Sequence, residues 1–221
     1  MVTFRPDEPL VGRETELGTL LDVVSRGEPA FILLIGEPRM GKDRVLRELR
    51  TRIASYPYFV VPEASAASGD PPWLTIDKQT TPDTFSAEIT PSRPDEVPSP
   101  EATGSNSPWL VDLYVILVYG YRPDKRFDAW FTQEFLPRLR TARPPRIVVL
   151  AGYASDVRHL EPLADKRVLL GPLARAAVEA DLRALNNEIT EKMDEPELQA
   201  YTDAVAKDPA LLVALRTLLR Y

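Results

Sequence analysis

The sequence predicts an α/β protein built around a mostly parallel, doubly wound β-sheet with helices on both faces. Three largely apolar runs, at residues 30–35, 114–119 and 146–151, indicate strands that are buried on both faces. Segments with the apolar spacing of helices separate these runs, as expected when parallel strands are joined by crossover helices. A glycine-rich loop directly follows the first run and leads into a helix. Together these observations predict the fold class.

The remaining elements follow from the same periodicities. Shorter strands are predicted at residues 58–61 and 167–170, the second of them at an edge of the sheet. Residues 10–26 are predicted to form a short entry followed by a helix, and further helices are predicted at residues 43–53, 127–141, 174–185, 196–206 and 209–219. We therefore expect an α/β domain over residues 1–173 and a small C-terminal helical lid over residues 174–221.

Residues 62–108 interrupt this alternation. The segment holds 9 Pro, 7 Ser and 6 Thr, and its 8 acidic and 2 basic residues account for the whole net charge of −6. Such a composition buries little apolar area. We expect an acidic, partly flexible insert, with residues 92–107 as the stretch most prone to disorder.

Composition also excludes several classes of site. The chain of 221 residues has no Cys, which excludes disulfides, thiolate catalysis and Cys-ligated metals. Its single His, His159, excludes His-rich metal sites. No apolar run reaches the roughly 18 residues of a membrane span, and residues 1–8 lack the apolar core of a secretion signal. We therefore expect a cytoplasmic protein with no membrane partner.

The loop after the first strand matches a phosphate-binding motif except at its last position. The pattern G-x-x-x-x-G-K is met at Gly36, Gly41 and Lys42. Asp43 then stands where Ser or Thr is expected. In such loops backbone N–H groups and the Lys bind phosphates, while the hydroxyl that follows holds Mg²⁺. The sequence therefore predicts a retained phosphate cradle with an altered metal ligand.

Two further segments accompany the loop. Residues 10–17 read Leu-Val-Gly-Arg-Glu-Thr-Glu-Leu, and residues 208–212 read Asp-Pro-Ala-Leu-Leu. With the loop, they resemble the nucleotide-binding module of the STAND class of AAA+-related P-loop ATPases, close to its origin-recognition-like group. The resemblance implies an adenine pocket near residues 11–13, ATP or ADP as the ligand, and a lid proline that packs near it. The candidate nucleotide-binding residues are Val11, Gly12, Arg13, Gly36, Glu37, Pro38, Arg39, Met40, Gly41, Lys42, Asp43 and Pro209.

Departures from the family pattern concern Mg²⁺ and the lid. In the family, the strand that corresponds to residues 114–119 ends in an Asp that holds Mg²⁺, often followed by a second acid. Here Tyr119, Gly120 and Tyr121 occupy those positions, and Lys207-Asp208 replaces the family's lid glycine. Because both usual supports are replaced, Mg²⁺ binding is in doubt, and we assign no catalytic or metal-ligating residue. Tyr119 and Tyr121 are expected to fill the emptied metal site.

Asp43 has two opposed interpretations. A carboxylate beside phosphate would repel it, whereas a carboxylate in the first turn of a helix is stabilised by the helix dipole. Asp43 therefore either weakens nucleotide binding or stabilises the empty loop.

Three functional interpretations follow. The preferred one is a degenerate pseudo-ATPase that acts as a switch, scaffold or interaction domain with a protein partner. The alternative is an active Mg²⁺-dependent ATPase in which Asp43 or Asp124 takes an unorthodox role. The third is a nucleic-acid-binding protein. We expect no nucleic-acid partner, because residues outside the insert balance at 25 acidic and 25 basic and no winged-helix segment follows Tyr221.

Overall fold

The computed structural model describes residues 10–54, 58–61, 113–142, 145–189 and 192–219, with only the backbone described at 58–61 and 219. The expected insert at residues 62–108 lies outside the described residues, so its flexibility stays a prediction.

A five-stranded parallel sheet organises the chain, in the order β2-β3-β4-β1-β5. Every neighbouring pair of strands is parallel, and β1 lies between β4 and β5. The strands are β1 Ala30–Gly36, β2 Tyr58–Val61, β3 Tyr114–Tyr121, β4 Arg146–Gly152 and β5 Lys166–Leu170. The predicted fold class is thus confirmed, and β5 lies at an edge of the sheet as expected.

Helices connect the strands and extend beyond the last one. The helices are α1 Glu14–Arg26, α2 Lys42–Arg52, α3 Lys125–Trp130, α4 Leu136–Thr141, α5 Ala154–Val157, α6 Arg175–Glu188, α7 Glu195–Lys207 and α8 Ala210–Leu219. A π-helical turn, Phe131–Phe135, joins α3 to α4, so that the single helix predicted at 127–141 is a continuous but irregular rod. Within the described ranges, no helix has the length and apolar character needed to cross a membrane.

The core is divided by the sheet into two apolar clusters. The first contains Leu20 of α1, Leu46 of α2 and Ile32 of β1, each fully buried. The second, on the opposite face, contains Phe31 and the aromatic residues of the α3–α4 rod, including Phe131. Successive residues of β1 alternate between the clusters because strand side chains point to opposite faces in turn. Each such Leu or Phe stabilises the fold by roughly 1.5–3 kcal/mol relative to an exposed position.

An irregularity near the end of β3 changes this alternation. Val118 pairs with Leu150, but the next pair is Tyr121 with Gly152, so β3 carries one extra residue there. Gly120 lies in this bulge with φ of 58°, a left-handed conformation that favours glycine. The bulge turns Tyr121 into the second cluster, whereas Tyr119 packs against the first.

The three C-terminal helices form a separate apolar cluster that includes Val178, Leu182 and Val205. A backbone hydrogen bond of 3.1 Å from Leu173 N–H to the Ala206 carbonyl holds the segment before α6 against α7. A buried ion pair between Arg216 and Asp181 joins α8 to α6. These contacts account for a compact helical unit after β5, while the boundary between residues 173 and 174 stays a prediction.

Candidate functional site

The phosphate-type loop lies between the end of β1 and the start of α2. Gly41 precedes α2 with φ of 86°, and no side chain caps the helix there. Arg39 also has a positive φ, 68°, which is uncommon outside glycine. The first N–H groups of α2 lack partners within the helix and carry its positive dipole end, which is the geometry that binds anions.

Lys42 is held inside this loop. Only 8% of the residue is exposed. Its Nζ donates hydrogen bonds to the carbonyls of Gly36 at 2.8 Å and Glu37 at 2.9 Å, and lies 4.3 Å from the centre of the Tyr153 ring. Burial lowers the pKa of Lys42 from its usual 10.5, against the opposing charges of Asp43 and Glu37. The ammonium is therefore in place for a phosphate but is engaged by the loop and by Tyr153.

A polar cavity of about 150 Å³ opens beside Lys42, at the carboxyl-terminal ends of β1, β3 and β4. This edge of a parallel sheet is where α/β folds bind ligands. The lining residues are Arg39, Gly41, Lys42, Asp43, Gly120, Tyr121, Arg122, Gly152 and Tyr153. The cavity therefore joins the phosphate-type loop to the two strands on which the family's catalytic groups are expected.

Asp43 is exposed in the first turn of α2 and lines the polar cavity. Its carboxylate lies at the positive end of the helix dipole, which favours it electrostatically. Both interpretations of Asp43 are thus compatible with its position, since the same carboxylate faces the space that a phosphate would enter.

The other carboxylates near the end of β3 are engaged elsewhere. Asp124 caps α3, and its Oδ1 accepts 2.9 Å hydrogen bonds from the N–H groups of Arg126 and Phe127. Asp128 accepts a hydrogen bond from the Tyr121 hydroxyl and lies 3.2 Å from Nε2 of His159. Burial, followed by the hydrogen bond and charge of Asp128, raises the pKa of Tyr121 well above its usual 10.0. Tyr121 thus stays protonated and serves as a donor that holds Asp128.

The site offers few protein ligands for Mg²⁺, which the resembling family uses. It needs a near-octahedral set of oxygen ligands, commonly including one or two carboxylates. Across the described ranges, no group of three or more acidic or His side chains is arranged to hold a metal ion. Asp43 is the one acidic residue, among those that the structure describes, that lines the polar cavity. Of the two tyrosines expected to fill a metal site, Tyr121 lines this cavity and Tyr119 does not.

A second, mostly apolar cavity of about 230 Å³ lies between the phosphate-type loop and the C-terminal helices. Its lining residues are Leu10, Val11, Arg13, Arg39, Met40, Gly41, Arg44, Leu173, Pro209, Ala210, Leu212, Val213 and Arg216. Arg39 and Gly41 line both cavities, so the two spaces meet at the loop. An apolar space next to a polar one suits a ligand with an aromatic part and an anionic part.

Arg13 holds the apolar cavity together. The residue is 4% exposed, and its guanidinium donates to Glu16 Oε1 at 3.0 Å, to the Met40 carbonyl at 3.2 Å and to the Gly171 carbonyl. One side chain thus connects the start of α1, the loop and the segment after β5. Arg13 shapes the cavity wall and leaves few donors for a ligand.

The structure brings together only part of the predicted set. Val11, Arg13, Met40 and Pro209 line the apolar cavity, Lys42 and Asp43 the polar one, and Arg39 and Gly41 both. Gly12, Gly36, Glu37 and Pro38 line neither. Arg122, Gly152 and Tyr153 line the polar cavity but were not among the candidates. Their positions in the sequence could have identified them, because each stands at or just after the end of a parallel strand, where ligand sites form.

Comparison with known proteins identifies the fold. No protein-family model matches the sequence, and no curated protein matches it. The Orc1 protein of Aeropyrum pernix, solved in complex with DNA, is similar with a TM-score of 0.57 and 17% identity, over 96% of this chain and 60% of Orc1. Hsp104 of S. cerevisiae, in its extended complex with casein, is similar with a TM-score of 0.48 and 16% identity, over 82% of this chain and 30% of Hsp104.

This chain therefore shares its fold with the Orc1 structure over most of its length. The chain spans about 60% of the length of that Orc1 and less of Hsp104. The narrower resemblance to the STAND class stays a prediction.

The expectation that nucleic acid is not a partner was wrong. It is contradicted by the Orc1 structure, in which a chain of the same fold is in complex with DNA. The charge argument failed because net charge averages over a whole chain, whereas binding to phosphates depends on the local arrangement of cations. Balanced totals of acidic and basic residues do not exclude such a surface.

Proposed function

We propose that this chain is a STAND-like nucleotide-binding module that holds ATP or ADP without hydrolysing it, and that it acts as a nucleotide-dependent switch or scaffold. The observation that carries the proposal is a contrast within one site. The phosphate-type loop and its lysine are in place, whereas the acidic residues near the end of β3 are engaged by a helix terminus and by Tyr121.

Nucleotide binding is supported by the two adjoining cavities. The apolar cavity suits a base and the polar one suits phosphates, and the loop that lines both would lie along the ligand. The helix N-terminus after Gly41 and the Lys42 ammonium supply the donors and the charge that phosphates require. Proteins with this fold generally bind nucleotides, which agrees with this arrangement.

Loss of hydrolysis is supported by the residues at the end of β3, beside the expected phosphate site. Phosphoryl transfer depends on charge neutralisation at the transferred group and on a residue that positions the attacking water. Tyr119 and Gly120 stand at the expected acid positions, and Asp124 and Asp128 have other partners. Because carboxylates engaged in this way are poorly placed to orient water, we expect turnover to be absent.

An active ATPase remains the second candidate because Asp43 lines the polar cavity. A carboxylate is a hard oxygen ligand, so Asp43 alone could anchor a hydrated metal ion. Under this interpretation Asp43 replaces the missing hydroxyl.

Phosphate release measured with ATP and Mg²⁺ separates the two candidates. The control is Lys42→Ala, which removes the loop ammonium; a melting curve must show that this variant remains folded. We expect the two proteins to release phosphate at the same background rate, and a faster rate in the unaltered chain would establish hydrolysis. Calorimetry with ATP and ADP then measures binding, and failure of both to bind would disprove the module. Duplex DNA belongs in the same titrations, given the Orc1 likeness.

A further inference from the structure

The polar cavity presents cations at the sheet edge where the family's metal ligand is expected, and we propose that the site binds the phosphates of ATP or ADP without a divalent metal ion. This inference rests on the proposed function and extends it by specifying metal-free nucleotide as the ligand. Protein guanidinium and ammonium groups supply the positive charge that Mg²⁺ usually provides.

The charges around the cavity carry the argument. Arg39, Lys42 and Arg122 line it, and among its lining residues Asp43 is the one carboxylate. Arg122 follows Tyr121 directly at the end of β3, so a cation stands at the edge where the family holds Mg²⁺ with acidic residues. A guanidinium offers a planar set of N–H donors that matches phosphate oxygens, which makes Arg122 a fitting replacement for the ion.

The same charges disfavour Mg²⁺. A bound ion would bring two positive charges into a small space that already holds the two Arg side chains and Lys42. Its oxygen ligands from the protein would be limited largely to Asp43, since Asp124 and Asp128 are engaged. Phosphate, in contrast, can accept hydrogen bonds from the guanidinium and ammonium groups that line the cavity.

Arg122 is the clearest residue with which to test this role. Arg39 already pairs with Asp208, and Lys42 is bonded to the loop, so changes at either position also alter the loop or the lid. Arg122 is exposed and lies beyond the loop, and a melting curve of Arg122→Gln must show that the variant remains folded. Arg126→Gln is a matched control, because Arg126 is also exposed and its substitution removes the same charge, but it does not line either cavity.

The experiment measures ATP and ADP affinity by calorimetry in EDTA and in Mg²⁺, with the unaltered chain and both variants. We expect binding in EDTA to be at least as tight as in Mg²⁺. Arg122→Gln should weaken binding in EDTA by about tenfold, the usual effect of losing a hydrogen bond to a charged group, while Arg126→Gln should leave it within about twofold.

The outcomes distinguish the two proposals. Binding that requires Mg²⁺, or that is tighter in Mg²⁺ than in EDTA, would overturn metal-free binding and leave the nucleotide-binding module standing. Equal affinity for the two variants in EDTA would overturn the role of Arg122 in place of the ion. If a folded chain binds neither nucleotide in either buffer, both proposals fail together.

Discussion

Arg39 of the phosphate-type loop and Asp208 of the C-terminal helical unit form an ion pair, with 2.9 Å between the guanidinium Nη1 and Oδ2. The other oxygen of Asp208, Oδ1, accepts a 3.2 Å hydrogen bond from the N–H of Ala210 at the start of α8. One carboxylate thus joins the loop to the lid. Because Arg39 also lines both cavities, a bound phosphate would compete with Asp208 for the same guanidinium.

Asp208→Asn should increase nucleotide affinity, by up to about fivefold, because Arg39 would no longer have to leave an ion pair. The amide oxygen can still accept from Ala210, so the start of α8 keeps its hydrogen bond. The side chain of Arg39 is 62% exposed, and the free energy of unfolding should therefore fall by less than about 1 kcal/mol. Calorimetry and urea unfolding measure the two effects, and Asp203→Asn, on α7 and paired with Arg175, is the control. Unchanged affinity would show that the ion pair does not oppose phosphate binding.

Asp43→Thr tests the like-charge interpretation of the loop. Two charges 4 Å apart interact by about 1 kcal/mol in water and about 4 kcal/mol at an effective dielectric of 20, which spans about fivefold to a thousandfold in affinity. Because Asp43 is exposed, we expect an increase in ATP affinity near the lower limit. Glu48→Gln removes a charge from the same helix outside both cavities and should have little effect. No increase in Asp43→Thr would instead favour a role in stabilising the empty loop.

Nucleotide affinity should fall at alkaline pH, beginning below the usual Lys pKa of 10.5. The reason is that burial lowers the pKa of Lys42, whose charged form is needed for phosphate. In the free protein, the stability responds to pH in the opposite direction from the nucleotide affinity. Between the lowered pKa and 10.5 the unfolded chain holds the extra proton, so Lys42 makes the free energy of unfolding rise with pH in that window.

Lys42→Met isolates this effect. The free energy of unfolding of the unaltered chain, minus that of Lys42→Met, should increase as the pH rises toward 10.5. The raised pKa of Tyr121 lowers the stability of both proteins above the usual Tyr pKa of 10.0, so its contribution cancels in this difference. A pH-independent difference would mean that Lys42 titrates as in a peptide.

Gly152→Ala should destabilise the fold by roughly 1–3 kcal/mol, the usual cost of overpacking. A methyl group at Gly152 would lie 2.4 Å from Cγ1 of Val157, a stiff, branched side chain of α5. The neighbouring Tyr153, whose ring covers Lys42, would move with this turn. The control is Gly18→Ala, which meets no atom within 4 Å in α1 and should stabilise the helix by up to about 1 kcal/mol. Thermal melting of both variants measures the contrast, and equal melting temperatures would contradict the close packing.

Periodicity alone predicted most of the fold. The apolar runs that became β1, β3 and β4 are buried on both faces, so their pattern is strong and local. The π-helical turn was not predicted, because the apolar residues of 127–141 fit the spacing of one continuous helix. That spacing does not reveal whether one of its turns is wider than the others. The loop was recognised because its glycines and lysine occupy adjacent positions in the chain.

The geometry at the end of β3 was not predictable in the same way. The two tyrosines there were expected to act together, yet the bulge at Gly120 sends Tyr121 to one face and Tyr119 to the other. A bulge depends on the pairing of β3 with β4, which are far apart in the chain. Likewise, the contacts of Asp128 with Tyr121 and His159 depend on how the end of β3 packs against α3 and the segment after α5.

By itself, then, the sequence determined the α/β fold, the phosphate-type loop and the substitution at Asp43, because these depend on neighbouring residues. The tertiary structure alone decided which residues face the ligand space. It placed Arg122 and Tyr153 beside Lys42, and joined Arg39 to Asp208 across 169 positions of the chain. Such contacts form only when strand ends and helices from distant segments pack at one edge of the sheet, which no local pattern encodes.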